Sequence, residues 1–203
     1  MLIATRMRAL GNIMHECTHS SYAPNKKGNL FFGNLIAILL FSSFSQYRKS
    51  HFLHHRYLGN KEKDDDYKAY LKLMRPSESS FFLIIFNPIN WIYTCIADVC
   101  FFEKNKLIVL FKIIYFLTLL YFFNNKYVIL YVVVYLTFYQ MMKIFSNLFD
   151  HHKNYQVKNK LCQLIFFPRN DIYHLVHHKF PRVPVTDLGE VYRNISSNKG
   201  QNV

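Results

Sequence analysis

Two long apolar runs in the second half of the chain give the clearest structural signal. They cover residues 107–123 and 127–149, which are 17 and 23 residues long, and only the polar residues 124–126 separate them. A helix needs about 20 apolar residues to cross the roughly 30 Å hydrocarbon layer of a membrane. The pattern therefore predicts a transmembrane helical hairpin over 107–149.

Two further apolar stretches, 30–46 and 81–102, are interrupted by polar residues. Serines close the first stretch, while Asn87, Pro88 and Asp98 break the second. Their length alone leaves open whether each one crosses the membrane, lies in its interface or re-enters it.

Composition narrows the class of protein. Of the 203 residues, 51% are hydrophobic and 18% are charged, which excludes a disordered chain and a coiled coil. Lys and Arg outnumber Asp and Glu by 25 to 12, and this basic balance suits either nucleic acid or an anionic membrane surface. The apolar runs favour the membrane, so no nucleic-acid partner is expected.

The length predicts a single domain over 1–203, and four cysteines without a CxxC pair predict no disulfide.

Histidines carry the candidate chemistry, because all ten fall into four short clusters. The clusters are His15 and His19; His51, His54 and His55; His151 and His152; and His174, His177 and His178. Spacings of three and four residues place side chains on one face of a helix. Neutral imidazole binds iron, zinc, copper and nickel, but eight to ten imidazoles exceed what one tetrahedral zinc uses. The sequence predicts two metal ions of higher coordination number.

A shared metal centre constrains the topology, since all four clusters must then lie on one side of the membrane. An even number of crossings separates any two clusters, so 30–46 should not span and 81–102 is predicted to be an interfacial helix pair. Basic residues surround the clusters, which places the metal side in the cytoplasm. These inferences predict an all-α, multi-pass membrane protein with a transmembrane hairpin, interfacial helices and a cytoplasmic His-rich helical cap.

Three segments resemble the histidine boxes of the membrane fatty acid desaturase family. They are GNIMHECTHSSY at 11–22, YRKSHFLHHRYLG at 47–59 and NDIYHLVHHKFPRVP at 170–184, and the resemblance covers about residues 8–185. It implies a non-haem enzyme with two Fe ions that uses O2 and two electrons to desaturate an acyl lipid from the bilayer. It also implies a separate electron donor of the ferredoxin or cytochrome b5 type.

The resemblance also implies a set of metal ligands. Eight of them are the box histidines His15, His19, His51, His54, His55, His174, His177 and His178. A ninth ligand precedes the third box in acyl-CoA desaturases, and His151 matches it better than His152. Those enzymes place an asparagine four residues earlier that reaches one iron through water, and Asn147 stands there.

Acidic residues beside these ligands are expected to orient them by hydrogen bonds. The candidates are Glu16, Asp150 and Asp171. The run KEKDDDY at 61–67 follows the second box and is interpreted as a solvated loop.

One departure from the family pattern lies before the first box. Desaturases of this kind usually begin with a transmembrane hairpin, whereas 14 residues precede His15. The resemblance therefore implies that this first hairpin is missing from the chain, which leaves an inactive fragment as one alternative.

Two other activities share parts of the pattern. Lipid and alkyl hydroxylases use similar boxes, but alkane hydroxylases space the second box as H-x3-H-H, whereas His51, His54 and His55 form H-x2-H-H and favour a desaturase. HECTH at 15–19 also fits the H-E-x-x-H pattern of zinc proteases, in which Glu16 would be the general base. That interpretation gives no role to the other two boxes.

Overall fold

A computed structural model of the protein describes residues 1–73, 81–99, 103–150 and 159–199. Across these residues the chain is helical and contains no β-strand, which confirms the predicted all-α fold. The helices are α1 (Leu2–His19), α2 (Lys26–Leu39), α3 (Phe44–Tyr57), α4 (Asp65–Leu73), α5 (Phe81–Phe86), α6 (Pro88–Val99), α7 (Lys106–Phe122), α8 (Asn125–Val134), α9 (Gln140–Asp150), α10 (Lys160–Phe166), α11 (His174–Lys179) and α12 (Leu188–Lys199). A π-helical turn (Tyr135–Tyr139) joins α8 to α9, and a 3-10 helix (Pro168–Tyr173) leads into α11.

Local signals fix the ends of the helices that carry histidines. Ser43 Oγ accepts a hydrogen bond from the backbone N–H of Gln46 at the start of α3, at 3.4 Å. Such a cap satisfies an N–H group that has no partner inside the helix. Ser20 ends α1 in the left-handed conformation, with φ 60°. The chain therefore turns away directly after His19.

One segment, Asn125–Leu148, is long and apolar enough to cross a membrane, with 24 residues. Among the described residues, no other unbroken helix meets the same requirement. α7 is apolar throughout and buries none of its residues, but its 17 residues reach only about 26 Å at 1.5 Å per residue. The second helix of the predicted hairpin is thus supported by length and composition, while the hairpin as a whole stays a prediction.

α2 and α3 would together be long enough to cross, but they meet at an angle of 110°. A straight crossing through residues 30–46 does not fit this bend. Whether the segment re-enters the membrane or lies in its interface stays a prediction.

The described part of segment 81–102 forms two helices rather than one. α5 ends before Asn87, and Asn90 Nδ2 donates a hydrogen bond to the carbonyl oxygen of Ile84 across the break, at 2.9 Å. Four buried side chains hold α5 against α9, namely Ile84, Ile85, Ile144 and Leu148. The segment therefore has the predicted form of a helix pair, and its position in the membrane interface stays a prediction.

The main core lies between α1, α2, the start of α3 and the π-helical turn. Its buried apolar side chains are Ala4, Met7, Met14, Cys17, Ile36, Ala37, Leu40, Phe44, Val134, Tyr135, Tyr139 and Met142. The hydroxyls of Tyr131 and Tyr135 donate to the carbonyl oxygens of Leu39 and Leu40, at 2.8 and 2.9 Å. These carbonyls lie at the end of α2, where the helix offers no N–H of its own. The long apolar segment thereby fixes the end of α2.

Gly33 allows α3 to pack closely on α2. A Cβ atom at this position would overlap the ring of Phe44, and Phe44 is buried at the start of α3. Because α3 carries the second histidine box, this close approach helps to set where the box lies.

Gly33→Ala is expected to lower the stability of the protein, because the added methyl group forces the Phe44 ring from its packed position. Overpacking of this kind costs about 1–3 kcal/mol. Gly11→Ala is a matched control, since a Cβ atom there meets its nearest neighbours only at 3.8 and 4.0 Å. Thermal unfolding in detergent should place Gly33→Ala below wild type and Gly11→Ala at or above it. Equal melting temperatures for the two variants would contradict this account.

Candidate metal centre

Three helices from distant parts of the chain bring the box histidines together. α1 ends with the first box, α3 carries the second, and α11 carries the third. The histidine side chains form two groups, and within each group one ligand atom from every residue lies within 4.8 Å of all the others. The five-histidine group contains His15, His19, His51, His55 and His177, and the three-histidine group contains His54, His174 and His178.

Close contacts between ring nitrogens characterise the five-histidine group. His51 Nε2 lies 2.8 Å from His19 Nε2 and 3.0 Å from His55 Nε2. His55 Nε2 in turn lies 3.2 Å from His177 Nε2. A nitrogen of a neutral imidazole offers either one proton or one lone pair, so hydrogen bonds satisfy at most two of these three contacts. Neighbouring ligands around an ion bound at about 2.1 Å are also about 3.0 Å apart, and the spacing therefore suits a shared cation.

His15 supplies a further donor to the same group. Its Nε2 is buried and has no hydrogen-bond partner among the described residues. The His15 ring lies 4.4 Å from the His51 ring and 4.3 Å from the His177 ring, measured between centroids. A buried polar atom without a partner is costly, and a bound metal ion would satisfy it.

The three-histidine group adjoins the first. His54 Nε2 lies 3.2 Å from His178 Nε2, and the His174 and His178 ring centroids are 4.6 Å apart. The His55 ring of the larger group is also 4.6 Å from the His178 ring. Two ions held by the two groups would thus be neighbours.

Burial favours the neutral form of the imidazoles in the five-histidine group, because the charged form loses its hydration. Burial first, and then the charge of His55, lowers the pKa of His19 to about 3. Burial and the neighbouring His54 lower the pKa of His55 to about 4. The pKa of His51 lies well below its ordinary value, again chiefly because of burial. Neutral imidazole is the form that binds a metal ion, so the lowered pKa values in the five-histidine group favour metal binding at pH 7.

Some predicted site residues are not placed by the structure. His151 and His152 lie outside the described residues, as do the side chains of Asp150 and Asp171. Asn147 is described on α9, and its Oδ1 is buried without a hydrogen-bond partner among the described residues. That oxygen can therefore accept a hydrogen bond from a water molecule, and the role of Asn147 as an indirect ligand stays a prediction.

The interpretation of 61–67 as a solvated loop is wrong, because α4 begins at Asp65 and the side chain of Asp64 is buried. Its side chain is 0% exposed, and His54 Nδ1 lies 2.9 and 3.0 Å from its two carboxylate oxygens. Burial acts to raise the pKa of Asp64, but hydrogen bonds from Tyr67, His54 and Gly59 outweigh it and lower the pKa. An acidic residue directly before an amphipathic helix was a signal for a helix cap, but nothing local indicated the contact with His54.

Glu16 connects the first box to the segment around the third box. It is 3% exposed, and its carboxylate accepts a hydrogen bond from Arg169 at 2.6 Å and from the backbone N–H of Val185 at 3.2 Å. Its described bonds thus go to these two residues, although the sequence suggested direct contact with a ligand histidine. Glu16 therefore bonds to the chain on both sides of α11, and an effect on the ligand histidines stays a prediction.

Two further polar residues of α1 contact the same segment. Asn12 Nδ2 donates to the carbonyl oxygen of Pro168 at 2.7 Å, and Thr5 Oγ1 donates to that of Ile165 at 3.2 Å. Arg169, the next residue after Pro168, has φ 64°, which is uncommon for a residue with a side chain. One face of α1 therefore holds this strained turn in place before the third box.

The fold and the site define a helical protein with two adjoining multi-histidine groups. The family described as fatty acid desaturase matches residues 1–200. The chain belongs to this family.

Two curated relatives are similar to the chain. Dihydrorhizobitoxine desaturase of Bradyrhizobium elkanii is 29% identical over 221 aligned positions, which cover 91% of the chain and 63% of the relative. Omega-3 fatty acid desaturase fat-1 of Caenorhabditis elegans is 38% identical over 56 positions, covering 28% of the chain and 14% of the relative. The chain thus spans less than two thirds of the length of either relative. No solved structure matches it.

Proposed function

We propose that the protein catalyses the O2-dependent desaturation of a fatty acyl chain or related lipid at a di-iron centre. The observation that carries this proposal is the convergence of eight box histidines into two adjoining groups. Membership of the desaturase family supports the reaction class. One relative is named for dihydrorhizobitoxine and the other for an omega-3 fatty acid, so the substrate of this chain is proposed only at the level of an acyl lipid.

The donor set fits two transition-metal ions. We propose that the five-histidine group holds one iron, and that the three-histidine group with His151 and a water on Asn147 holds the other. Two bound irons would supply the oxidising power for this reaction, in which O2, two electrons, two protons and two hydrogens from the acyl chain would form two waters, and a C–C single bond would become a double bond. Neutral imidazole ligands would leave the metal charge less compensated than carboxylates would.

The surroundings of the site would exclude water from the acyl chain and would bind the protein that delivers electrons. Apolar helices such as α7 and Asn125–Leu148 would keep the acyl chain away from water, which would otherwise divert the oxidant. We propose a multi-pass protein with the metal site on the cytoplasmic side. A separate ferredoxin- or cytochrome b5-type protein would deliver electrons, and the exposed side chains of Lys49, Arg56 and Lys179 near the boxes suit an acidic partner.

A zinc protease is less well supported. In that mechanism Glu16 would act on a water molecule beside one zinc, but its buried carboxylate is bonded to Arg169 and Val185. Five converging histidines also exceed the ligand set of a catalytic zinc. A lipid hydroxylase of the same superfamily is the alternative that the histidine groups support equally.

Lipid analysis of cells that express the protein tests the reaction class. Mass spectrometry of total lipid should show a new double bond with the wild-type chain and none with His177→Ala, because His177 belongs to the five-histidine group. An added hydroxyl group in place of the double bond would identify a hydroxylase. Identical lipid profiles for wild type and His177→Ala, at equal protein levels, would contradict the proposal.

A further inference from the structure

Asp64 occupies a position that joins the second box to the turn behind it. Its Oδ1 accepts a hydrogen bond from the backbone N–H of Tyr67 at 3.0 Å, and its Oδ2 accepts one from that of Gly59 at 2.9 Å. His54 Nδ1 lies within 3.0 Å of both oxygens. Three donors thus converge on one carboxylate that has no contact with solvent.

The turn between α3 and α4 is built to bring Asp64 back to α3. Gly59 has φ 76°, a conformation that favours glycine, and a Cβ atom there would meet nothing within 4 Å. The backbone N–H of Asp64 donates to the carbonyl oxygen of Asn60 at 3.1 Å. Asp64 then caps α4 through its bond with Tyr67. The chain therefore reverses within a few residues, and the cap of one helix faces a histidine of the preceding helix.

This contact decides which nitrogen of His54 can bind a metal ion. Both carboxylate oxygens accept hydrogen bonds, so the proton of a neutral His54 is expected on Nδ1. The lone pair is then on Nε2, which lies 3.2 Å from His178 Nε2 in the three-histidine group. Among the described side chains, no carboxylate bonds to a member of the five-histidine group. In the part of the chain that the structure describes, a carboxylate thus bonds to a member of the three-histidine group but to none of the five-histidine group.

We propose that Asp64 is a positioning residue that holds His54 as an Nε2 ligand and thereby controls metal occupancy of the three-histidine group, separately from the five-histidine group. The inference rests on the proposed di-iron function. Carboxylates that hold a ligand histidine contribute about 10–100-fold to metal affinity. Loss of Asp64 should therefore empty one metal position while the other stays filled.

Three variants separate this role from the capping of α4. Asp64→Ser keeps a good helix cap, but its shorter side chain cannot reach His54. Asp64→Asn keeps both a cap and an amide oxygen for His54. Asp65→Ala is the matched control, because Asp65 is 57% exposed and pairs with Lys68 on the surface.

The experiment measures iron per chain and the Mössbauer spectrum of the full chain reconstituted with 57Fe. Wild type and Asp65→Ala should bind about two irons. Asp64→Ser should bind about one and lose one of two iron signals, whereas Asp64→Asn should lie closer to wild type. A role in capping alone predicts equal metal content for Asp64→Ser and Asp64→Asn, and that result would overturn the inference. Full iron in Asp64→Ser, or loss of both irons at once, would also overturn it.

The iron content of the wild-type chain shows whether a negative result concerns only the role of Asp64 or also the proposed di-iron function. A wild-type chain that binds about two irons, with Asp64→Ser unchanged, overturns only the role of Asp64. A wild-type chain that fails to bind two irons overturns the di-iron proposal and this inference with it.

Discussion

His51→Ala is expected to abolish iron binding in the five-histidine group and to reduce lipid desaturation by at least about 100-fold. His51 is 3% exposed, and its Nε2 lies within 3.0 Å of the Nε2 atoms of His19 and His55. Its removal takes away the central member of the group. Iron content by elemental analysis and new double bonds by mass spectrometry should fall together.

Lys49→Ala is the control for this substitution, because Lys49 lies on the same helix with an exposed side chain. Its iron content should equal that of wild type. A His51→Ala chain that keeps its iron and its full rate of turnover would show that His51 is not a ligand.

Arg169→Ala is expected to destabilise the segment that leads into the third box. The substitution leaves the carboxylate of Glu16, with a side chain 4% exposed, without its charged partner. Breaking a fully buried ion pair lowers the free energy of unfolding by roughly 3–5 kcal/mol. Because Arg169 is 31% exposed, we expect a smaller loss of about 2–3 kcal/mol here. Thermal unfolding in detergent should show the loss.

A double-mutant cycle isolates the contact itself. Arg169→Ala should cost clearly less in a Glu16→Gln background, because an amide does not need the guanidinium as a charged partner. Arg169→Ala should also weaken iron binding by the third box. Glu16 holds the chain before α11 through Arg169 and after α11 through Val185, and the substitution removes the first of these contacts. Additive effects of the two substitutions on the melting temperature would contradict a direct role of this pair.

The histidine boxes could be found from the sequence because their signal is local. Spacings of three and four residues require only that α1, α3 and α11 are helical, and the structure brings eight of the nine predicted ligands into two groups. The all-α fold followed in the same way from helical patterns. Which histidines share a group could not be predicted, because that depends on how three helices cross.

The supporting contacts were missed because they join residues far apart in the chain or across a turn. Asp64 looked like one member of an exposed acidic run, and only the reversal at Gly59 brings it to His54. Arg169 had no distinguishing pattern at all, and its bond with Glu16 spans 153 residues. Burial of single polar residues within a polar segment leaves no periodic signal.

The apolar segments were predicted by length, and here the structure refines the picture. Tyr131 and Tyr135 bind the end of α2 through their hydroxyls, a tertiary role that hydropathy does not show. The π-helical turn at Tyr135–Tyr139 also interrupts a segment that reads as one regular helix. Such turns depend on packing against neighbours and often occur near functional sites.

Metal content of the purified full chain tests the central claim most directly. The chain is reconstituted anaerobically in detergent with Fe2+ as the only metal offered, and the bound iron is quantified against protein. The two histidine groups predict about two irons per chain, because eight imidazoles supply donors for two ions. About one iron per chain, or no bound iron in folded protein, would contradict the claim that the two groups form a di-iron centre.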